Sequence, residues 1–144
     1  MKKTQTTLGG IEIEIITANE IMSGTPIESY PWYDCFCRRA LYEDMAPGTK
    51  VTQVGCGAVP VRLITLWTEC GVEGIGIEQV LFCSDLATKL IAYLGLSEHI
   101  KIVHGDESLL PLSEDVVLYS PQAKLKLKLQ QQIRKRMKRW QGNY

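Results

Sequence analysis

The sequence contains no run of about eighteen apolar residues, so no stretch reads as a membrane-spanning helix. It has no CxxC pair, and its two histidines lie far from Cys35-x-Cys37, which makes a poor zinc site. The five cysteines (Cys35, Cys37, Cys56, Cys70, Cys83) are odd in number and scattered, and read as reduced thiols packed as small apolar side chains. No GxxxxGK[ST] motif occurs, which argues against a phosphate-cradling NTPase. The opening MKKTQTTLGGIEIEI begins with a basic pair, but Glu12 and Glu14 interrupt the apolar run that a secretion signal needs, so a cytoplasmic location is expected. Acids, finally, are missing from residues 121–144, which hold eight basic residues and a balance of +8. Residues 1–120 carry all sixteen acids with the other eight basic residues, a balance of −8. A separation this sharp points to docking or attraction through the last segment.

What is present is enough for a core: 144 residues, 45% of them hydrophobic, fit one globular domain. The expected division is an N-terminal arm at 1–28, an α/β ligand-binding domain at 29–120 and a basic C-terminal helix at 121–144. Ile11-Glu12-Ile13-Glu14-Ile15 alternates strictly, the pattern of a half-buried strand, packed on the domain or paired with another chain. Tyr30-Pro31-Trp32-Tyr33 opens a helix, with Ser29 positioned to cap it and a stop before Pro47-Gly48. Its aromatic cluster (Tyr30, Trp32, Tyr33, Phe36) reads mainly as core, the alternative being a lid over the glycine loop that follows.

Strands are expected at residues 51–54, 75–77, 99–103 and 115–119, separated by helical stretches. Val59, Leu63, Leu66 and Trp67 mark the first crossover helix, and residues 84–96 the second, with Gly95 as its C-terminal cap. Such an order implies parallel crossovers and an α/β sheet. The last segment has two readings. Lys124-Leu125-Lys126-Leu127-Lys128-Leu129 alternates like a strand, but Leu125, Leu129, Ile133, Met137 and Trp140 line one helical face. Ser120-Pro121 is a good helix start, and the stripe outlasts the alternation, so a helix is preferred.

The chain is organised around VTQVGCGAVPVRLITLWTECGVEGIGIE, whose order of strand, glycine turn, helix, strand and acid is that of a nucleotide-binding βαβ unit. Ligands of open parallel sheets sit at the carboxyl ends of strands. Gly55-Cys56-Gly57 would let backbone approach a ligand closely. Glu78, twenty-one residues after Gly57, can accept hydrogen bonds from a ribose diol. Asp106, just past the third strand, can accept from an adenine amino group. Each has a plainer use as a packing turn, loop acid or helix cap. The three together, each in strand context, favour a nucleoside-type ligand. NAD is disfavoured because Pro60 stands where the third glycine of GxGxxG belongs.

VTQVGCGAVPVRL, GIGIEQ and IKIVHGDESLL resemble the first three motifs of class I S-adenosylmethionine-dependent methyltransferases, over about residues 51–120. The resemblance implies a Rossmann-like fold with S-adenosylmethionine as cofactor. It puts Gly55 and Gly57, with Cys56 between them, at the methionine part. Glu78, with Gln79 beside it, falls at the ribose hydroxyls, and Asp106 with Glu107 at the adenine. Gln53 departs from the family's usual acid and Val59 from a common third glycine. The turn GCGAVPV is similar to the GxGPLPL turn of nicotianamine synthases, which move the aminocarboxypropyl group of the cofactor rather than its methyl.

The expected fold is therefore α/β, a Rossmann-like parallel sheet with flanking helices. It is truncated to about four strands in the order 3-2-1-4, with a helix before it and a basic helix after it. The fourth strand would be a naked edge, which predicts a homodimer or coverage by a terminal segment. Three functions compete. The first is a transferase acting on a small-molecule acceptor, with Glu107, Tyr119 or Tyr33 as a base that no spacing singles out. The second is a non-catalytic cofactor-binding module or subunit. The third is nucleic-acid binding through QQQIRKRMKRW, against which docking between subunits is the plainer use of the charge.

Overall fold

The computed structural model describes residues 7–43, 45–109 and 116–141. In chain order it consists of α1 (Thr7–Met22), α2 (Pro31–Glu43), β1 (Lys50–Val54), α3 (Val61–Cys70), β2 (Glu73–Glu78), α4 (Leu81–Tyr93), β3 (Ile100–His104), β4 (Val116–Tyr119) and α5 (Pro121–Gln141). The strands form one parallel sheet in the order β3-β2-β1-β4, the α/β arrangement expected from the alternation of strand and helix patterns. Asp115, placed in the fourth strand by its sequence, lies outside the described residues.

Burial on both sides explains why β1 reads as an apolar run: Val51, Thr52, Gln53 and Val54 are all buried. In β2, Gly74 and Gly76 are packing residues. A Cβ on Gly74 would lie 2.7 Å from Leu63 of α3, and one on Gly76 would lie 2.7 Å from the Cys56 thiol. The core joins β1, β2 and β3 to Leu63, Ile64 and Leu66 of α3 and to Leu90 and Ile91 of α4. Each side chain of this kind contributes roughly 1.5–3 kcal/mol on full burial. Two parallel crossovers running in the same direction along the sheet put α3 and α4 on the same face. There α2 packs on α3, and α1 packs on α4.

Residues 11–15, expected as a strand, belong instead to α1. The inward positions are Ile11, Glu14, Ile15, Ala18, Ile21 and Met22, a helical spacing, whereas Ile13 and Ile16 of the same run are about half exposed. A strand here would need a pairing edge, whereas a helix satisfies its own backbone and still buries one face. Ser29 also departs from expectation. Its hydroxyl donates to the Pro26 carbonyl at 2.6 Å within a short 3-10 turn (Ile27–Ser29).

The helical reading of the basic segment holds in α5. Ser120 caps it by accepting the Ala123 amide at 3.1 Å, and Pro121 takes the first helical position. Leu125, Leu129, Ile133 and Met137 form an exposed stripe along it, while the Trp140 side chain lies outside the described residues. The outer edge of β4 has no strand paired to it among the described residues. Among those residues, no helix is long and apolar enough to cross a membrane.

Candidate functional site

Backbone hydrogen bonds bring the carboxyl ends of all four strands level. Ser120 N–H donates to Val54 at 3.0 Å, Gly55 N–H to Ile77 at 2.7 Å and Gly105 N–H to Glu78 at 2.9 Å. Strand order reverses between β1 and β4, the switch point at which open α/β sheets hold ligands. A cavity of about 250 Å³ opens there, walled by Gly55, Gly57, Glu78, Gln79, Asp106 and Ser120, with Glu14, Val80 and Cys83 closing it. The structure thus brings together five positions singled out in the sequence.

The glycine turn needs its glycines. Gly55 and Gly57 adopt left-handed backbone, with φ of 80° and 74°. A Cβ at Gly55 would fall on the Ser120 hydroxyl, and one at Gly57 on the Glu14 carboxylate. Glu78 is 7% exposed and fixes the turn from β2, its carboxylate accepting the Gly57 amide at 2.8 Å and the Val80 amide at 3.0 Å. One side chain therefore ties the turn after β1 to the start of α4. Asp106 accepts the Ser108 amide at 3.0 Å and its hydroxyl at 2.6 Å, opening the 3-10 turn Glu107–Leu109. The Glu107 side chain lies outside the described residues.

Cys56 turns the other way, with its thiol buried against Gly76 under the loop and absent from the cavity wall. Burial, followed by the charges of Glu78 and Glu14, pushes that thiol well above its usual range. The same influences raise Cys83 to about 11, so both stay protonated near neutrality. Gln53 is buried in β1 with its side-chain oxygen unpartnered among the described residues, and it does not reach the cavity. Tyr33 and Tyr119 do not line it either.

Two wall residues escaped the sequence reading. In the sequence Ser120 has the signature of a helix cap, and Glu14 belongs to an alternating strand pattern and interrupts an apolar run. Glu14 projects from α1 over the glycine turn and accepts the Ala58 amide at 3.1 Å. Burial raises its carboxyl above the ordinary value; the Val59 and Ala58 amides oppose this, and the Glu78 charge adds to it. A second cavity, of about 180 Å³, lies across Glu14 between α1 and α2, walled by Ile13, Thr17, Trp32, Val59 and Val61. Trp32, stacked on Tyr30 at 5.0 Å and half-buried on the core, is the member of the aromatic cluster that reaches it.

No protein-family model matches the chain, and no curated protein is similar to it in sequence. Solved structures do match. MtNAS, a nicotianamine synthase, in complex with MTA and tNA aligns at TM-score 0.69 and 24% identity over 79% of this chain and 46% of its own. A SAM-dependent methyltransferase from Geobacter sulfurreducens in complex with S-adenosyl-L-homocysteine aligns at TM-score 0.54 and 20% identity, over 73% and 43%. YjhP from E. coli aligns at TM-score 0.53 and 25% identity, over 60% and 36%. The chain spans less than half the length of each of these proteins. It has the Rossmann-like fold of class I S-adenosylmethionine-dependent methyltransferases, a fold that it shares with nicotianamine synthase.

Proposed function

We propose that the chain binds S-adenosylmethionine at the carboxyl ends of its strands and is a transferase that uses it. The observation that carries this reading is the placement of Glu78. Its carboxylate is oriented by two backbone amides at the cavity wall, beside a turn whose two glycines leave the backbone open. In this reading Glu78 and Gln79 meet the ribose, Gly55-Cys56-Gly57 passes along the methionine part, and Asp106 with Glu107 meets the adenine. Sharing a fold with proteins crystallised with S-adenosylmethionine or its homocysteine product supports the same ligand class. Transfer from a sulfonium depends chiefly on in-line placement of the acceptor, so a catalytic triad is not required. Isothermal calorimetry is the test: no measurable affinity for S-adenosylmethionine or S-adenosylhomocysteine refutes it.

A second reading concerns the group moved. The GCGAVPV turn and the likeness to MtNAS favour aminocarboxypropyl transfer. Breaking that carbon–sulfur bond leaves methylthioadenosine, whereas breaking the methyl–sulfur bond leaves S-adenosylhomocysteine, and chromatography of the spent cofactor separates the two.

The assembly that best fits the surface is a homodimer through the open β4 edge and α5. The helix carries the +8 balance against −8 in residues 1–120, and its apolar stripe is exposed. Light scattering should give twice the chain mass, falling to one on deletion of 124–144. RNA binding that disappears with the same deletion, in a chain that is monomeric throughout, would support the phosphate-binding alternative instead.

A further inference from the structure

Among the described residues, the charged side chains that wall the strand-end cavity are Glu14, Glu78 and Asp106. They are spread along the strand ends. Asp106 follows β3, Glu78 ends β2, and Glu14 stands over Gly57 after β1. A nucleoside held by the first two leaves the sulfur end of the ligand at the glycine turn, under Glu14. Gln53, where the resembling family has an acid, is neutral and does not reach the cavity. The negative charge at this end is instead supplied by α1, from 44 residues before Ala58.

Resting on the reading of this cavity as an S-adenosylmethionine site, the geometry points to Glu14 as the residue that makes it select the sulfonium over the neutral thioether left by transfer. S-adenosylmethionine carries one more positive charge than S-adenosylhomocysteine, located at the sulfur. A partly buried carboxylate at this end is weakly screened and acts on that one difference. The selection would hold the cofactor while favouring loss of the spent product. Glu14 is a specificity-determining residue here.

Calorimetry of the full chain with both ligands tests this. Wild type is expected to bind S-adenosylmethionine about tenfold more tightly than S-adenosylhomocysteine. Glu14→Gln keeps an oxygen for the Ala58 amide but removes the charge, and should bring the two affinities within about threefold. Glu14→Asp keeps the charge and should keep the preference, as should Glu12→Gln, an exposed acid on the same helix. Wild type binding the thioether as tightly as the sulfonium, or Glu14→Gln retaining the wild-type ratio, overturns the inference and leaves the cofactor reading standing. Absence of binding by either ligand to wild type overturns the cofactor reading itself.

Discussion

Gly57→Ala tests whether α1 and the glycine turn are one unit. The substitution meets two separate obstacles. At φ 74° a side chain is held in left-handed backbone, which costs roughly 1–2 kcal/mol. The new Cβ also falls on the Glu14 carboxylate, which must move and give up its hydrogen bond to Ala58, worth about 1 kcal/mol. The expected loss is about 2–3 kcal/mol in urea denaturation followed by circular dichroism. In a Glu14→Ala background the collision disappears and only the backbone cost remains. The double-mutant cycle should therefore return a coupling of about 1 kcal/mol. If Gly57→Ala costs the same in both backgrounds, Glu14 does not sit over the turn, and the site loses the wall that α1 provides.

Because burial raises the Glu14 carboxyl, ionising it opposes folding: the penalty is absent below the ordinary value of 4.5 and complete above the raised value. Glu14→Gln should therefore melt at or above wild type at pH 7, with the gap closing toward pH 4. A gap that widens on acidification would contradict the assignment. Arg62 pairs with Glu43 at 2.6 Å, with side chains 13% and 22% exposed. Arg62→Met should lose about 2–3 kcal/mol by stranding the carboxylate, and adding Glu43→Leu should recover most of it, as read by chemical denaturation. Gly76→Ala places a Cβ 2.7 Å from the Cys56 thiol and 3.0 Å from Ile102. It should lose about 1–3 kcal/mol, partly restored by Cys56→Ala, and equal losses with and without Cys56 would show that the thiol is not the obstacle.

The sheet was legible because β1 and β2 are buried over most of their length, while β3 keeps the apolar residues Ile100 and Ile102 inward and is followed by Gly105. Residues 51–54, 75–77 and 99–103 were each placed within a residue or two of the observed strands. The strand-end acids followed from the topology, since Glu78 closes the run at 75–77 and Asp106 comes three residues after Val103. Which way Cys56 turns between two left-handed glycines was not legible, because the packing glycine that receives its thiol, Gly76, is on another strand. Glu14 was hidden for a different reason. Over five residues IEIEI has the period of a strand, and in a strand Glu12 and Glu14 share one face, which reads as solvent. In a helix those two positions diverge: Glu12 is exposed, while Glu14 joins Ile11, Ile15 and Ala18 on the inward side. The longer window, through Met22, carries the helical spacing that the short one conceals. Assigning the wrong period therefore did more than misname an element. It put a carboxylate that reaches the glycine turn from outside the βαβ unit on the wrong side of the chain.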